Sequence, residues 1–312
     1  MSRRITLRRS LLPLFAVLLA CLSSAWANNL SAYAIPINTE EAQGFDKCTA
    51  PSVSDMATWW TYSPYFWLGI YIGGINASCP PGYRNPNLNN PWIAAVQAQG
   101  WDLAPIYVGL QTPCPTPNNV GRFAQFSSDP GTAWNQGIAA AADAIYQYGT
   151  TLSLGGPPNP TLIYLDLEGF NYTGPGTACA KATINFLSAW SNRLHYSGAR
   201  SGIYGSSGST MKILQDYLAS MASPNIPDNI WPAGGGFWAS QHASNATVFG
   251  NAYIPDDRWS VHQRLYQYTA GHSESYGGNS LGGAGIDSDC GDGQLIGSGS
   301  VVVAYTCGAP YH

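Results

Sequence analysis

The sequence predicts an α/β fold, a (β/α)8 barrel of the TIM type, complete or slightly irregular, and three observations lead there. Apolar strand-like runs alternate with helix-like segments along most of the chain, eight such runs can be picked out, and carboxylates or aromatic rings stand where many of them end. Alternation of strand and helix favours a parallel sheet, and eight strands with crossovers in one domain favour closure, with the site at the C-terminal ends of the strands. An open doubly wound sheet is the alternative. Neither a G-x-G-x-x-G nor a Walker pattern marks a phosphate site, and no cofactor is implied.

The chain opens with Arg3, Arg4, Arg8 and Arg9, an apolar run from Leu11 to Leu22 and the small-x-small pattern Ala25-Trp26-Ala27. This reads as a secretory signal peptide over residues 1–27. Its arginine pairs resemble a twin-arginine export signal, and Cys21 offers a lipoprotein site in competition with the cleavage pattern. A polar leader over 28–41 precedes a barrel domain over 42–312. Gln43 to Cys48 is the first strand and carries Asp46 near its end; Ser52 or Ser54 then caps a helix with Met56, Trp59 and Trp60. Phe66 to Gly73 is the second strand, followed by a helix from about Pro91 to Gln99. Leu103 to Leu110 is the third, followed by an Ala-rich helix over Thr132 to Tyr148. Leu162 to Leu165 forms the core of the fourth strand and reads as buried on both faces. The clearest amphipathic helix, Ala178 to Tyr196, comes next and is stopped by Gly198. Ser201 to Gly205 is the fifth strand and Thr210 to Met221 a helix. Gly236 to Gln241, Arg264 to Tyr268 and Ala284 to Asp289 complete the series.

Removing the leader takes four of the thirteen basic residues and none of the seventeen acids, leaving nine against seventeen. A balance of about eight negative charges argues against nucleic acid or an anionic membrane as partner, since both require a basic face. No later apolar run reaches the length of a membrane span. Six cysteines follow the leader, Cys48, Cys79, Cys114, Cys179, Cys290 and Cys307. An even number in an exported chain implies three disulfides, and their spacings form no zinc knuckle. Fifteen pairings are open; Cys290 with Cys307, which flank the last hairpin-like segment, and Cys79 with Cys114, in two Pro-rich loops, are preferred.

The chemistry centres on L-D-L-E. Asp166 and Glu168 lie two residues apart, so on a strand both side chains leave from the same face. Two like charges about 7 Å apart beside an apolar strand repel and are poorly solvated, which raises at least one pKa and suits acid/base work. Asp46 at the first strand and the pair Asp287 and Asp289 at the last fall side by side when the barrel closes, with little basic compensation except Lys47. The aromatic residues Tyr107, Tyr204, Trp238 and Tyr268, with Gln267, stand at other strand ends and suit stacking on, and hydrogen bonding to, sugars.

The motifs G-F-D at Asp46, L-D-L-E at Asp166 to Glu168, G-I-Y at Tyr204, F-W-A-S at Trp238, Y-Q-Y around Gln267 and G-I-D-S-D at Asp287 together resemble, in order, the family 25 glycoside hydrolases, the Chalaropsis-type lysozymes. They resemble more closely a bacterial secreted glycoside-hydrolase-like barrel family related to those lysozymes. The resemblance spans almost all of the mature chain, although D-K-C-T-A-P around Asp46 differs from the lysozyme pattern. It implies that Glu168 is the general acid, that Asp166 assists the reacting sugar, and that Asp46 and Asp287 complete the site.

Three readings stand. The first is a secreted hydrolase of cell-wall or other polysaccharide, a muramidase among the options. The second is an inactive envelope protein that binds glycan or peptidoglycan in the same cleft. The third, in which Asp46, Asp287 and Asp289 hold a divalent cation, rests on clustered carboxylates alone.

Overall fold

The computed structural model describes residues 37–77, 85–151, 162–222, 225–281, 285–296 and 307. The signal peptide, Cys79 and the first part of the polar leader lie outside them. Eight strands close a barrel in sequence order. They are β1 (Ile37–Lys47), β2 (Trp67–Gly73), β3 (Asp102–Tyr107), β4 (Leu162–Leu167), β5 (Arg200–Ser206), β6 (Asn229–Ala233), β7 (Arg264–Gln267) and β8 (Asp287–Ile296). The helices are α1 (Val53–Tyr62), α2 (Asn90–Gln99), α3 (Pro130–Thr151), α4 (Ala178–Tyr196) and α5 (Lys212–Tyr217), the last entered through a π turn at Ser207–Met211.

Local chemistry fixes the helix starts. The hydroxyls of Ser52 and Thr177 and the amide oxygen of Asn89 accept the N–H of Asp55, Ala180 and Trp92 and cap α1, α4 and α2, and the Asp129 carboxylate does the same for Thr132 in α3. Gly100 ends α2 at φ 117°, a left-handed conformation that a β-carbon would strain.

Four features depart from the sequence reading. β1 begins at Ile37, inside the segment assigned to the leader. The sixth strand is Asn229–Ala233, while Gly236 to Gln241 is loop, tied to the β7 side by Ala239 N–H donating to Tyr268 O at 3.0 Å. Five strand–helix units are followed by β6, β7 and β8 without an α-helix between them among the described residues. The last strand runs antiparallel to both of its barrel neighbours, β1 and β7. Asp287 therefore starts β8 rather than ending it, and the reversal still brings it opposite Asp46.

Alternation sorts the strand residues into two cores. Leu68, Ile70, Leu103, Ile163, Leu165 and Ile203 face outward beneath the helices. Inside the barrel lie Trp67, Ala104, Ile106, Tyr164, Trp231 and Leu265. Trp231 meets Trp67 and Tyr164 edge-on at 5.4 Å and Tyr204 at 5.5 Å, an aromatic plug that floors the C-terminal end of the barrel. The plug needs room. A β-carbon on Gly44 would stand 2.0 Å from the Trp67 ring, and one on Gly202 would stand 2.2 Å from Tyr164.

The preferred Cys290–Cys307 bond forms, whereas Cys114 pairs with Cys179 rather than with Cys79. Asn171 N–H donates to Cys114 O, so the loop after β3 lies against the segment after β4 and its cysteine is within reach of the start of α4. Cys48 is disulfide-bonded as well. Disulfides of this number suit an oxidising, extracytoplasmic compartment. Among the described residues no helix is long and apolar enough to cross a membrane.

Candidate active site

The site is built from inward-facing residues one layer above the aromatic plug. Asp46 from β1, Asp166 from β4, Asp287 from β8 and Tyr204 from β5 converge there, joined by Tyr71 from β2 and Gln267 from β7. The Gln267 amide Nε2 donates to Asp46 Oδ2 at 3.0 Å and to Asp287 Oδ2 at 3.1 Å, and its oxygen accepts from Tyr204 OH at 3.0 Å. Tyr71 OH donates to Asp46 Oδ1 at 3.1 Å, and the Gly271 N–H donates to Asp287 Oδ1. Among the described residues no group of His, Cys, Asp or Glu is placed to hold a metal ion, which opposes the divalent-cation reading.

The D-x-E segment is held by its backbone. Gln111, in the loop after β3, accepts from the Glu168 N–H at 2.7 Å and donates to the Asp166 carbonyl at 2.9 Å. Asn119 donates to the Gly169 carbonyl at 3.1 Å. These contacts leave the two carboxyls free for chemistry. Asp166 is only 4% exposed, and its Oδ1 has no hydrogen-bond donor. Glu168 is half-buried and opens onto a pocket lined by Gln111, Thr112, Asn119, Phe123 and Phe170.

Burial dominates the electrostatics. It pushes Asp46 well up, helped by Asp287, and pushes Asp166 well up, helped by Glu168 and Asp46. Glu168 is raised by burial and by Asp287 against the pull of Arg122, which lies in the loop after β3 with its guanidinium 4.9 Å over Phe123. Asp287 is raised by burial, with the Gly271 N–H opposing. A lowered dielectric with several acids in one chamber favours shared protons over full ionisation. Lys47 gives no relief there. Alternation turns it to the outer face, where Nζ donates to Gly285 O at 2.9 Å.

Two of the aromatic candidates point elsewhere. Tyr107 faces outward, donates to Asp143 Oδ2 at 2.7 Å and stacks on Trp190, because Ile106 takes the inward position next to it. Tyr268 is fully buried outside the barrel and donates to Gln43 Oε1 at 2.7 Å. Asp289 faces inward but is buried beneath Asp287, with Oδ1 accepting from Trp231 Nε1 at 2.9 Å, too deep to touch a substrate. Trp238 follows β6 on the cleft side of the barrel and is 57% exposed.

A second network backs the β7–β8 connection. Glu274 accepts from Tyr65 OH at 2.9 Å, Tyr276 OH at 2.7 Å and the His242 N–H at 2.8 Å, and its Oε1 lies 2.8 Å from His272 Nε2. Ser288, between Asp287 and Asp289, reaches the same histidine nitrogen at 3.1 Å. None of Gln111, Tyr71, Trp231 or Glu274 was marked by sequence pattern. Tyr71 alone carried a signal, the strand alternation that puts it on the face of Gly69.

Residues 57–290 match the model of the Rv2525c-like glycoside hydrolase-like domain, a span that includes Asp166, Glu168, Asp287 and Asp289. The chain belongs to that family. The match begins after β1 and so leaves Asp46 outside it. No curated protein matches the chain. Among solved structures it is similar to an uncharacterized protein of B. stearothermophilus, at 15% identity over 80% of this chain and 95% of that one, with a TM-score of 0.48. It is also similar to the Clostridium perfringens spore cortex lytic enzyme SleM, at 14% identity over 80% of this chain and 67% of that one, with a TM-score of 0.44.

Proposed function

We propose that the protein is an exported glycoside hydrolase acting on cell-wall or other polysaccharide, with Glu168 as general acid and Asp166 facing the reacting sugar. One observation carries the reading: a half-buried Glu168 at a pocket, electrostatically linked to a buried Asp166 that no donor satisfies. Burial raises the proton affinity of both carboxyls, so either keeps a proton more readily than an exposed carboxyl would. Glu168, the member that opens to solvent, passes that proton to the glycosidic oxygen as the bond to the anomeric carbon breaks. The positive charge that develops on the sugar then faces the Asp166 carboxylate, directly or through a substrate N-acetyl group that Asp166 orients. Water completes the reaction and returns a proton to Glu168. Tyr204, Gln267 and the Asp46 and Asp287 carboxyls line the chamber and fix its shape.

The test is turnover of labelled peptidoglycan and of chitin oligomers by wild type and by Glu168→Gln, which keeps the shape and removes the proton. A loss of at least a hundredfold, at the low end of what general acids contribute, is the expected outcome. Equal rates exclude Glu168 as the acid. The exposure of Trp238 favours a second reading, glycan binding without turnover. Under it, wild type retains purified cell wall, releases no product, and loses retention on Trp238→Ala but not on Glu168→Gln.

A further inference from the structure

The loop between β3 and α3 forms one wall of the pocket at Glu168 and is braced from several sides. Its two arms pair through Gln111 N–H to Ala124 O and Phe126 N–H to Gln111 O, both at 2.9 Å. The Asn76 amide donates to Gly109 O at 2.8 Å and to Ala124 O at 2.9 Å, and the Cys114–Cys179 bond ties the loop to α4. Arg122 stands between the arms, next to Gly121 in the left-handed region at φ 71°, and its backbone N–H donates to Asn119 O at 3.2 Å. Its guanidinium lies 4.9 Å over the ring of Phe123, which lines the pocket together with Glu168. Contact with a ring face leaves the guanidinium N–H donors to a ligand. Arg122 is exposed, and among the described residues no carboxylate lies within ion-pair distance of it.

We propose that Arg122 is a specificity-determining residue that binds a carboxylate on the glycan, so that the cleft selects acid-bearing saccharides over neutral ones. The proposal rests on the reading of this pocket as a glycan site. The planar fork of a guanidinium meets a carboxylate in two parallel hydrogen bonds, a geometry that an ammonium does not reproduce. Its location gives the choice meaning. Asp46, Asp166 and Asp287 crowd the chamber beside Glu168, and the chain carries seventeen acids against thirteen bases, so an anionic ligand has no general attraction to this protein. A preference for one therefore needs a local cation. Arg122 also pulls the proton affinity of Glu168 down. A bound carboxylate offsets that pull and favours the protonated acid while substrate is in place.

Fluorescently labelled fragments of glycol-chitin and carboxymethyl-chitin, matched in length, test this, because their ether substituents differ only in ending in a hydroxyl or a carboxylate. Binding to the full mature chain is read by anisotropy at neutral pH and low salt. Wild type is expected to bind the carboxymethyl fragment about fivefold more tightly, the upper end for an exposed charge pair, with the preference shrinking as salt is added. Arg122→Gln is expected to lose the preference while holding the glycol fragment as wild type does, which also shows that the variant is folded. Arg122→Lys is expected to keep only part of it. Equal or weaker binding of the carboxymethyl fragment by wild type overturns the proposal. So does a preference that survives in Arg122→Gln, or an equal loss of both fragments in that variant. Binding of neither fragment by wild type refutes the glycan site itself and the inference with it.

Discussion

Gln267→Leu removes, at nearly constant volume, the one side chain that bonds Asp46, Asp287 and Tyr204 together. Each hydrogen bond to a charged group contributes about 1.5–3 kcal/mol, and a buried group left unpaired costs about 1–3 kcal/mol. Asp46 keeps Tyr71 and Asp287 keeps the Gly271 N–H, so neither is stripped entirely. The bonds share one amide and do not add, and the loss is expected at about 4 kcal/mol near pH 8. The amide favours the ionised form of Asp46, so removing it raises that carboxyl further. A raised acid loses stability as pH climbs above the unfolded carboxylate value, and the penalty is therefore larger at pH 8 than at pH 4.5, where a protonated Asp46 can donate to Asp287 itself. Urea midpoints at both pH values, compared at unchanged slope, measure the difference. A change below about 1 kcal/mol at pH 8, or a larger one at pH 4.5, refutes the account of Gln267 as the clamp of the acid chamber.

Two further outcomes follow from neighbouring groups. Trp238→Ala is expected to leave the unfolding midpoint within about 0.5 kcal/mol of wild type, since the ring is largely exposed, and to weaken retention on cell-wall glycan; unchanged retention removes Trp238 from the binding surface. Burial acts to raise Glu274, but hydrogen bonds from His272, Tyr276, the His242 N–H and Tyr65 outweigh it and hold the carboxyl at about 2. That stability is present above the ordinary glutamate value and lost as pH falls towards 2, so the gap in melting temperature between wild type and Glu274→Gln is expected to close over that interval; a constant gap refutes the assignment.

The sequence was informative where period and chemistry agree. The β4 run Leu162–Leu167 is buried throughout, as an apolar strand between Pro160 and Gly169 implies, and D-x-E sends both acids off one face because strands alternate. The same alternation, applied one residue further along β3, would have turned Tyr107 outward. β6 was missed because Pro232 argues against a strand interior, while F-W-A-S after three glycines imitates one. The direction of β8 left no trace, since alternation reads the same from either end. Gln111 was invisible for another reason: its partners are the backbone atoms of a strand about sixty positions away, and no local pattern encodes such a contact.

The reversed last strand also sets when the site comes into being. Asp46 lies on the first strand and Asp287 and Asp289 on the last, and the two strands pair along ten positions from Ile37↔Ile296 to Asp46↔Asp287. This pairing joins residues more than two hundred positions apart, the kind of contact whose loop-closure entropy makes it slow to form. Until that seam zips, the chain has β4 with its D-x-E but no chamber around it. Zipping brings three carboxyls together out of water, and burial raises the proton affinity of each. The seam that closes the barrel is therefore also the seam that assembles the cleft.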